Sequence, residues 1–221
     1  AKMTGIFIIG GAGGVGRRLG PMLTARGQGV GAMARRPEQL DAQRAQGVTP
    51  VTGDLTSLDA AGLAGLMRGY GAVVFSAGAG GLGGPERTTA VDGEGLEKAV
   101  SAAQAAKINR FVLVSVIPDA LRGAASPGER FEHYMQVKRR ADNHLAQSGL
   151  DWVILRPGTL TDKPGTGKIR AGAAIPYGEV SRDNVATVLA EIIATPSISR
   201  RVIEVTDGDT PAPQAISALA S

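Results

Sequence analysis

The sequence predicts an α/β fold: a doubly wound parallel sheet in one domain across residues 1–221, with a small C-terminal extension mainly over residues 157–180. Three observations predict it. Short apolar, β-rich runs alternate with alanine- and leucine-rich segments at helical spacing. Most of those runs are continuously apolar rather than alternating, as strands buried on both faces are. The first run ends in a glycine-rich turn that opens straight into a helical segment.

The strands are expected at Gly5–Ile9, Gly29–Ala34, Val48–Thr52, Ala72–Ser76, Arg110–Ser115, Asp151–Leu155 and Arg201–Thr206. Helices are expected between them at Val15–Arg26, Pro37–Gln46, Leu58–Arg68, Arg87–Ala106, Arg130–Ser148 and Arg182–Ala194. Gly27 and Gly149 stand just past helix ends, where a left-handed residue is wanted. Pro37 suits a first helical turn, and Ser181 can cap the helix that follows it. Two segments rich in glycine and proline, Gly78–Pro85 and Pro157–Gly178, carry no assignable element. Long loops of that kind in a compact domain are often functional.

Composition narrows the function classes. Hydrophobic residues make up 43% and charged residues 20%, values of an ordinary globular protein. Without cysteine, disulfides, thiolate metal sites and a cysteine nucleophile are excluded. No apolar run approaches the roughly 20 residues that span a bilayer, and Gly5–Ile9 is too short for a signal-peptide core. A cytoplasmic protein with no membrane partner is the expectation. The net charge of +4 is spread over short pairs such as Arg17–Arg18 and Arg139–Arg140, which reads as solvated helix faces, so no nucleic-acid partner is expected. His133 and His144 are not at metal-ligand spacing, so no metal is expected. The segment Pro164–Lys168 falls short of a phosphate loop, because Asp162 and Ile169 stand where glycine and a hydroxyl residue are needed.

The first turn carries the chemistry. Ile6–Ile9 leads into Gly10-Gly11-Ala12-Gly13-Gly14-Val15-Gly16. Glycines let a backbone turn tightly and approach a pyrophosphate, while the following helix aims its N–H groups and positive dipole end at the anion. The spacing fits two patterns: Gly11-x-Gly13-x-x-Gly16 and Gly10-x-x-Gly13-x-x-Gly16. Both read as dinucleotide binding in a Rossmann-type fold when the turn follows the first strand of a βαβ unit. At the end of the second strand, an NAD site usually carries Asp or Glu for the ribose hydroxyls, and an NADP site can carry arginine for the 2′-phosphate. Here Ala34 is followed by Arg35 and Arg36 with no carboxylate. Arginine's planar, permanent charge suits a forked phosphate contact, which favours NADP(H) over NAD(H).

Further along, the chain holds Gly53-Asp54-Leu55, Phe75-Ser76-Ala77-Gly78-Ala79, Val91-Asp92-Gly93, Phe111–Ser115, His133-Tyr134-x-x-x-Lys138, Leu155-Arg156-Pro157-Gly158 and Arg182–Ala186. In this order the chain resembles the atypical short-chain dehydrogenase/reductase superfamily, among its small NAD(P)H-binding, NmrA-like and epimerase-like proteins. The resemblance implies Asp54 and Leu55 beside the adenine, and Ala77, Gly78 and Ala79 along ribose and phosphates. It implies Pro157 and Gly158 near the nicotinamide, and a substrate side mainly within 157–180.

Tyr134 and Lys138 match the superfamily's Tyr-x-x-x-Lys motif, and residues four apart share a helix face. An ammonium and a positive nicotinamide ring beside a phenol would lower its pKa from about 10 and make it an acid/base group. Lys138 would also hold the nicotinamide ribose, and Ser115 resembles the serine that polarises a substrate oxygen. The expectation is an NADP-dependent oxidoreductase acting on a small carbonyl or alcohol. An NmrA-like redox sensor without turnover is the alternative. A nucleotide-sugar epimerase or dehydratase is a third, disfavoured because only about 65 residues follow Arg156, fewer than a separate substrate domain uses. A small-molecule substrate is the expected partner, and a homo-oligomer through the helices near Arg87–Ala106 and Arg130–Ser148 is left open.

Overall fold

The inner strands bury both faces here, so their side chains divide between two layers of helix. The computed structural model describes residues 4–78, 83–118 and 128–220. Strands β1 (Ile6–Ile9), β2 (Val30–Ala34), β3 (Thr49–Thr52), β4 (Ala72–Phe75), β5 (Arg110–Val114), β6 (Asp151–Pro157) and β10 (Arg201–Asp207) form the parallel part of the sheet. Ile6 and Ile8 of β1 enter one core, with Leu19, Leu23 and Leu189. Phe7 and Ile9 enter the other, with Leu63, Leu96 and Leu145. Strands that face two cores lose the polar half of the period-two pattern.

The described strands of the main sheet run in the order β11 (Thr210–Pro211), β8 (Lys168–Gly172), β10, β6, β5, β4, β1, β2 and β3. Pairing is parallel from β3 through to β10, with β1 held between β2 and β4. This is the doubly wound order in which the chain reverses direction across the sheet between β1 and β4. Helices α1 (Gly16–Ala25) and α7 (Arg182–Ile193) pack on one face, while α3 (Ala60–Met67), α5 (Gly95–Ala105) and α6 (Glu129–Ala146) cover the other. The short α2 (Pro37–Ala45) joins β2 to β3 and begins at Pro37, as expected.

Two segments differ from the sequence reading. The single helix expected at Arg87–Ala106 is α4 (Gly84–Thr88), a π-helical segment Thr89–Glu94, and then α5. A π segment adds a residue to the turn and shifts the side chains that follow, a device frequent at functional sites. Here it directs Asp92 towards α6. The unassigned segment Pro157–Gly178 contains β7 (Thr159–Thr161) and β8 (Lys168–Gly172), with β9 (Glu179–Ser181) just beyond it. β7 pairs with β9 in a separate two-stranded parallel sheet, and β8 runs antiparallel to β10. In β8 only Ile169 is buried, so apolar content could not reveal that strand; its partner β10 specifies it. After β10 come β11 (Thr210–Pro211) and α8 (Ala212–Ser217), which buries Ala212 and Ile216.

Candidate functional site

Ligands of open α/β sheets bind beyond the carboxyl ends of the strands, where the strand order reverses. A cavity of about 410 Å³ lies there, walled by the turns after β1, β2, β3, β4, β5 and β6, the π segment, α6 and the start of α7. One end reaches Arg35 at the tip of β2; the other reaches Tyr134 and Lys138 of α6.

The glycine turn forms the floor. Gly10 has φ of 89°, and a Cβ there would stand 2.5 Å from the backbone N of Ala77. A Cβ on Gly16 would overlap the carbonyl oxygen of Gly10, and one on Gly11 would meet the Ala32 Cβ at 2.5 Å. Gly13 is different. Its added Cβ would meet only the Gly10 oxygen, at 3.3 Å, and Gly13 lines the cavity. Gly10 and Gly16 thus let strand, turn and helix pack closely, while Gly13 leaves room for a ligand. Helix α1 then starts with no side-chain cap and no acidic residue in its first turn, so its positive end is not neutralised locally. These features fit a dinucleotide pyrophosphate.

At the β2 tip, Arg35 lies 3.8 Å from the Asp54 carboxylate, and its side chain is 53% exposed. Asp54 also accepts from the Thr56 hydroxyl at 2.7 Å and the Thr56 N–H at 2.9 Å. The Thr56 hydroxyl, more than Arg35, holds the Asp54 carboxyl below the usual carboxylate range. Arg35, Asp54 and Leu55 all line the cavity, with Met33 and Gln39 beside them. Arg36 does not; its guanidinium lies 3.4 Å from Glu38, off the cavity wall.

The other end is built around two buried carboxylates. Asp92 and Lys138 are almost fully buried and 3.6 Å apart, and the Lys138 ammonium donates to the Val114 carbonyl at 3.3 Å. Tyr134 shares the α6 face with Lys138 and lines the cavity, as the spacing implies. Its phenol, however, is pushed well above the ordinary value near 10, first by burial and then by the negative Asp92. Within the protein alone, Lys138 is matched by Asp92, so its charge does not bring the phenol down. Ser115 departs from expectation. Its hydroxyl donates to Asp142 at 2.5 Å, and Asp142 is further paired with Arg156 at 3.0 Å. With its one proton engaged, Ser115 cannot also donate to a substrate oxygen; it braces α6 against β5 and β6. Burial raises the Asp142 carboxyl above its ordinary value, against the opposing effects of Ser115 and Arg156.

Most other residues named from the sequence fall in the wall: Ala12, Gly14, Val15, Ala77, Gly78, Pro157 and Gly158. Gly11 and Gly16 lie behind it and act through packing. Ala79, the residues 80–82 of one expected substrate wall and residues 119–127 of another lie outside the described residues. Sequence reasoning passed over Arg87, Asp92 and Arg182, which also line the cavity. Asp92 stood inside the Val-Asp-Gly signal without a role, since nothing local shows that a π segment directs it inward. Arg182 stood inside the Arg182–Ala186 signal without a role, because its place beside Gly14 is a contact across 168 residues of chain. His133, which carried no metal-ligand spacing, approaches the Thr89 hydroxyl at 3.0 Å and the Pro85 carbonyl at 3.2 Å, and so docks α4 on α6. Among the described residues no cluster of metal-ligating side chains occurs and no helix is long and apolar enough to cross a membrane.

Known proteins share this fold and resemble this sequence. Residues 10–196 match a family described as NAD(P)H-binding. A Bacillus subtilis protein named as an uncharacterised sugar epimerase, YhfK, is 34% identical over 215 residues, 97% of this chain and 99% of that protein. A Bacillus halodurans structure designated a candidate NAD-dependent epimerase/dehydratase superposes with a TM-score of 0.88 at 30% identity, covering 97% of this chain and 99% of that one. ChuY, an anaerobilin reductase of Escherichia coli O157:H7, superposes with a TM-score of 0.77 at 26% identity, covering 93% and 98%. The proteins named as epimerases have this chain's length, so length does not separate epimerase from reductase. From glycine turn to α7, the chain belongs to the NAD(P)H-binding family of Rossmann-fold, oxidoreductase- and epimerase-like proteins.

Proposed function

We propose that the protein is an NADP(H)-dependent oxidoreductase that reduces a small carbonyl compound or oxidises the matching alcohol. The observation that carries this reading is one continuous cavity with a half-exposed arginine, only loosely paired with Asp54, at the β2 tip and a tyrosine–lysine pair at the far end. NADPH supplies the hydride when bound, and the oxidised form accepts it. The glycine turn and the α1 N-terminus receive the pyrophosphate, and Arg35 receives the 2′-phosphate by turning from its loose contact with Asp54. Lys138, held by Asp92 and the Val114 carbonyl, presents its remaining hydrogens to the nicotinamide ribose. Tyr134 keeps its proton at neutral pH, which suits an acid that protonates a carbonyl oxygen as reduction proceeds. ChuY is a reductase by its description, which supports the reductive direction.

Engagement of the Ser115 hydroxyl by Asp142 favours the alternative of a cofactor sensor without turnover. One series separates the two. Titration with NADPH and NADH should show tighter NADPH binding, and Arg35→Ala should remove that preference. Against a panel of small aldehydes and ketones, Tyr134→Phe should lower kcat about 100-fold or more while NADPH affinity holds within twofold. Turnover that survives this substitution refutes the proton-donor role. Cofactor binding with no turnover on any carbonyl supports the sensor.

A further inference from the structure

The start of α7 brings an arginine over the glycine turn from the opposite side of the cavity. Arg182 lines that cavity, and its side chain is 29% exposed. A methyl group on Gly14 would stand 2.8 Å from Arg182 Cδ and 2.9 Å from Nε, so the guanidinium stem lies against the turn that receives the pyrophosphate. One guanidinium nitrogen, Nη1, donates to Asp162 at 3.1 Å; the Asp162 side chain is 68% exposed. Arg18 differs. Its groups donate to the Gly14 carbonyl at 2.5 Å, to Asp183 at 2.7 Å and to Asp162 at 3.3 Å, so it is committed to bracing the turn. Asp183 in turn accepts from the Gly165 N–H at 2.9 Å, which ties the Asp162–Gly167 loop to α7.

We propose that Arg182 is a pyrophosphate ligand of the dinucleotide site, held in place by Asp162 until the cofactor binds. Of the five N–H donors of its guanidinium, one is spent on an exposed carboxylate, and exposed pairs of that kind bind weakly. A diphosphate in a partly enclosed cleft offers two charges and forked geometry, so it takes the guanidinium from Asp162. The pyrophosphate is then held from below by the glycine turn and from above by Arg182. Because Asp162 belongs to the loop between β7 and β8, cofactor binding also releases one tie on that loop. Cofactor and substrate side are thereby coupled through one side chain. This inference rests on the dinucleotide reading above.

The test compares two substitutions that a purely structural tie cannot tell apart. If Arg182 only fastens the loop, Arg182→Ala and Asp162→Asn both loosen the Arg182–Asp162 tie, the second weakening the Arg18–Asp162 pair as well, and both change NADPH affinity in the same direction. If Arg182 is a pyrophosphate ligand, the signs are opposite. Calorimetric titration with NADPH should then show affinity about tenfold to a hundredfold weaker in Arg182→Ala, as for the loss of a charge-assisted hydrogen bond, and a few-fold tighter in Asp162→Asn. Arg182→Lys should recover part of the loss. Adenosine 2′-monophosphate, which lacks the pyrophosphate, should bind Arg182→Ala as it binds the unaltered protein. Weakening of equal size in Arg182→Ala and Asp162→Asn overturns the proposal, as does an Arg182→Ala protein that binds NADPH unchanged. Failure of the unaltered protein to bind either NADPH or NADH overturns the dinucleotide reading itself.

Discussion

Replacing Asp92 by asparagine removes one charge from the most deeply buried ion pair of the site while keeping the side chain's size. Asp92 and Lys138 are 3.6 Å apart and nearly inaccessible to water. At an effective dielectric of about 20, unit charges at that separation attract by about 5 kcal/mol. That agrees with the roughly 3–5 kcal/mol lost when one partner of a buried pair is removed and the other is left uncompensated. For a chain of this size, about 2–4 °C of melting temperature per kcal/mol makes the expected fall about 6–20 °C. The carbonyl of asparagine still faces the ammonium, so the lower half of that range is expected. Thermal unfolding followed by circular dichroism measures it, and a second variant makes the reasoning specific. In Asp92→Asn/Lys138→Met no buried charge is stranded, and replacing a buried pair by apolar groups is often close to neutral. The double variant should therefore recover at least half of the loss. An Asp92→Asn protein melting within about 2 °C of the parent, or a double variant less stable than Asp92→Asn, refutes the claim that Lys138 depends on Asp92. The same substitution removes the second cause of the raised Tyr134 phenol. Its titration should move down towards 10 without reaching it, because burial remains.

Two further outcomes follow from the turn and from the α7 brace. Gly16→Ala forces a methyl group onto the Gly10 carbonyl, so it should lower the melting temperature and abolish NADPH binding together. Gly13→Ala, whose methyl group would meet the Gly10 oxygen at 3.3 Å and so press on it far less, should melt closer to the parent than Gly16→Ala does, yet bind NADPH at least tenfold more weakly, since the methyl group stands in the cradle. Equal behaviour of the two variants contradicts the division of labour drawn between these glycines. Asp183 is held below its ordinary value of 3.8, chiefly by the Gly165 N–H and also by Arg18. A depressed folded-state pKa contributes stability that is full above about pH 4 and lost as pH falls through the folded value. Asp183→Asn should therefore flatten the stability profile only below about pH 4, as read from urea midpoints measured between pH 2 and 7. A stability deficit in Asp183→Asn that is as large at pH 2 as at pH 7 contradicts that assignment.

Much of the fold was legible because its signals are local. Continuous apolar runs marked strands with two buried faces, and the glycines of the first turn marked where a strand must fold closely back into a helix. Arg35 was legible for the same reason, since its place depends on the end of β2 and not on a distant partner. The edge of the molecule was not. β8 has a single buried side chain and exists through its antiparallel partner β10, and β7 and β9 pair across a loop that the sequence leaves featureless.

The alternation of strands and helices, the glycine turn and the Tyr134–Lys138 spacing are written into the sequence, each set by backbone sterics or helical period within a few residues. The electrical state of the site is a product of long-range contacts. The π segment places Asp92 against Lys138, α6 turns Asp142 towards Ser115 and Arg156, and α7 lays Arg182 over Gly14. Each of these contacts joins elements far apart in the chain, and an acid or a base is defined by its neighbours in space. The residues of the site could be read in order along the sequence; their protonation and their hydrogen bonds follow from packing.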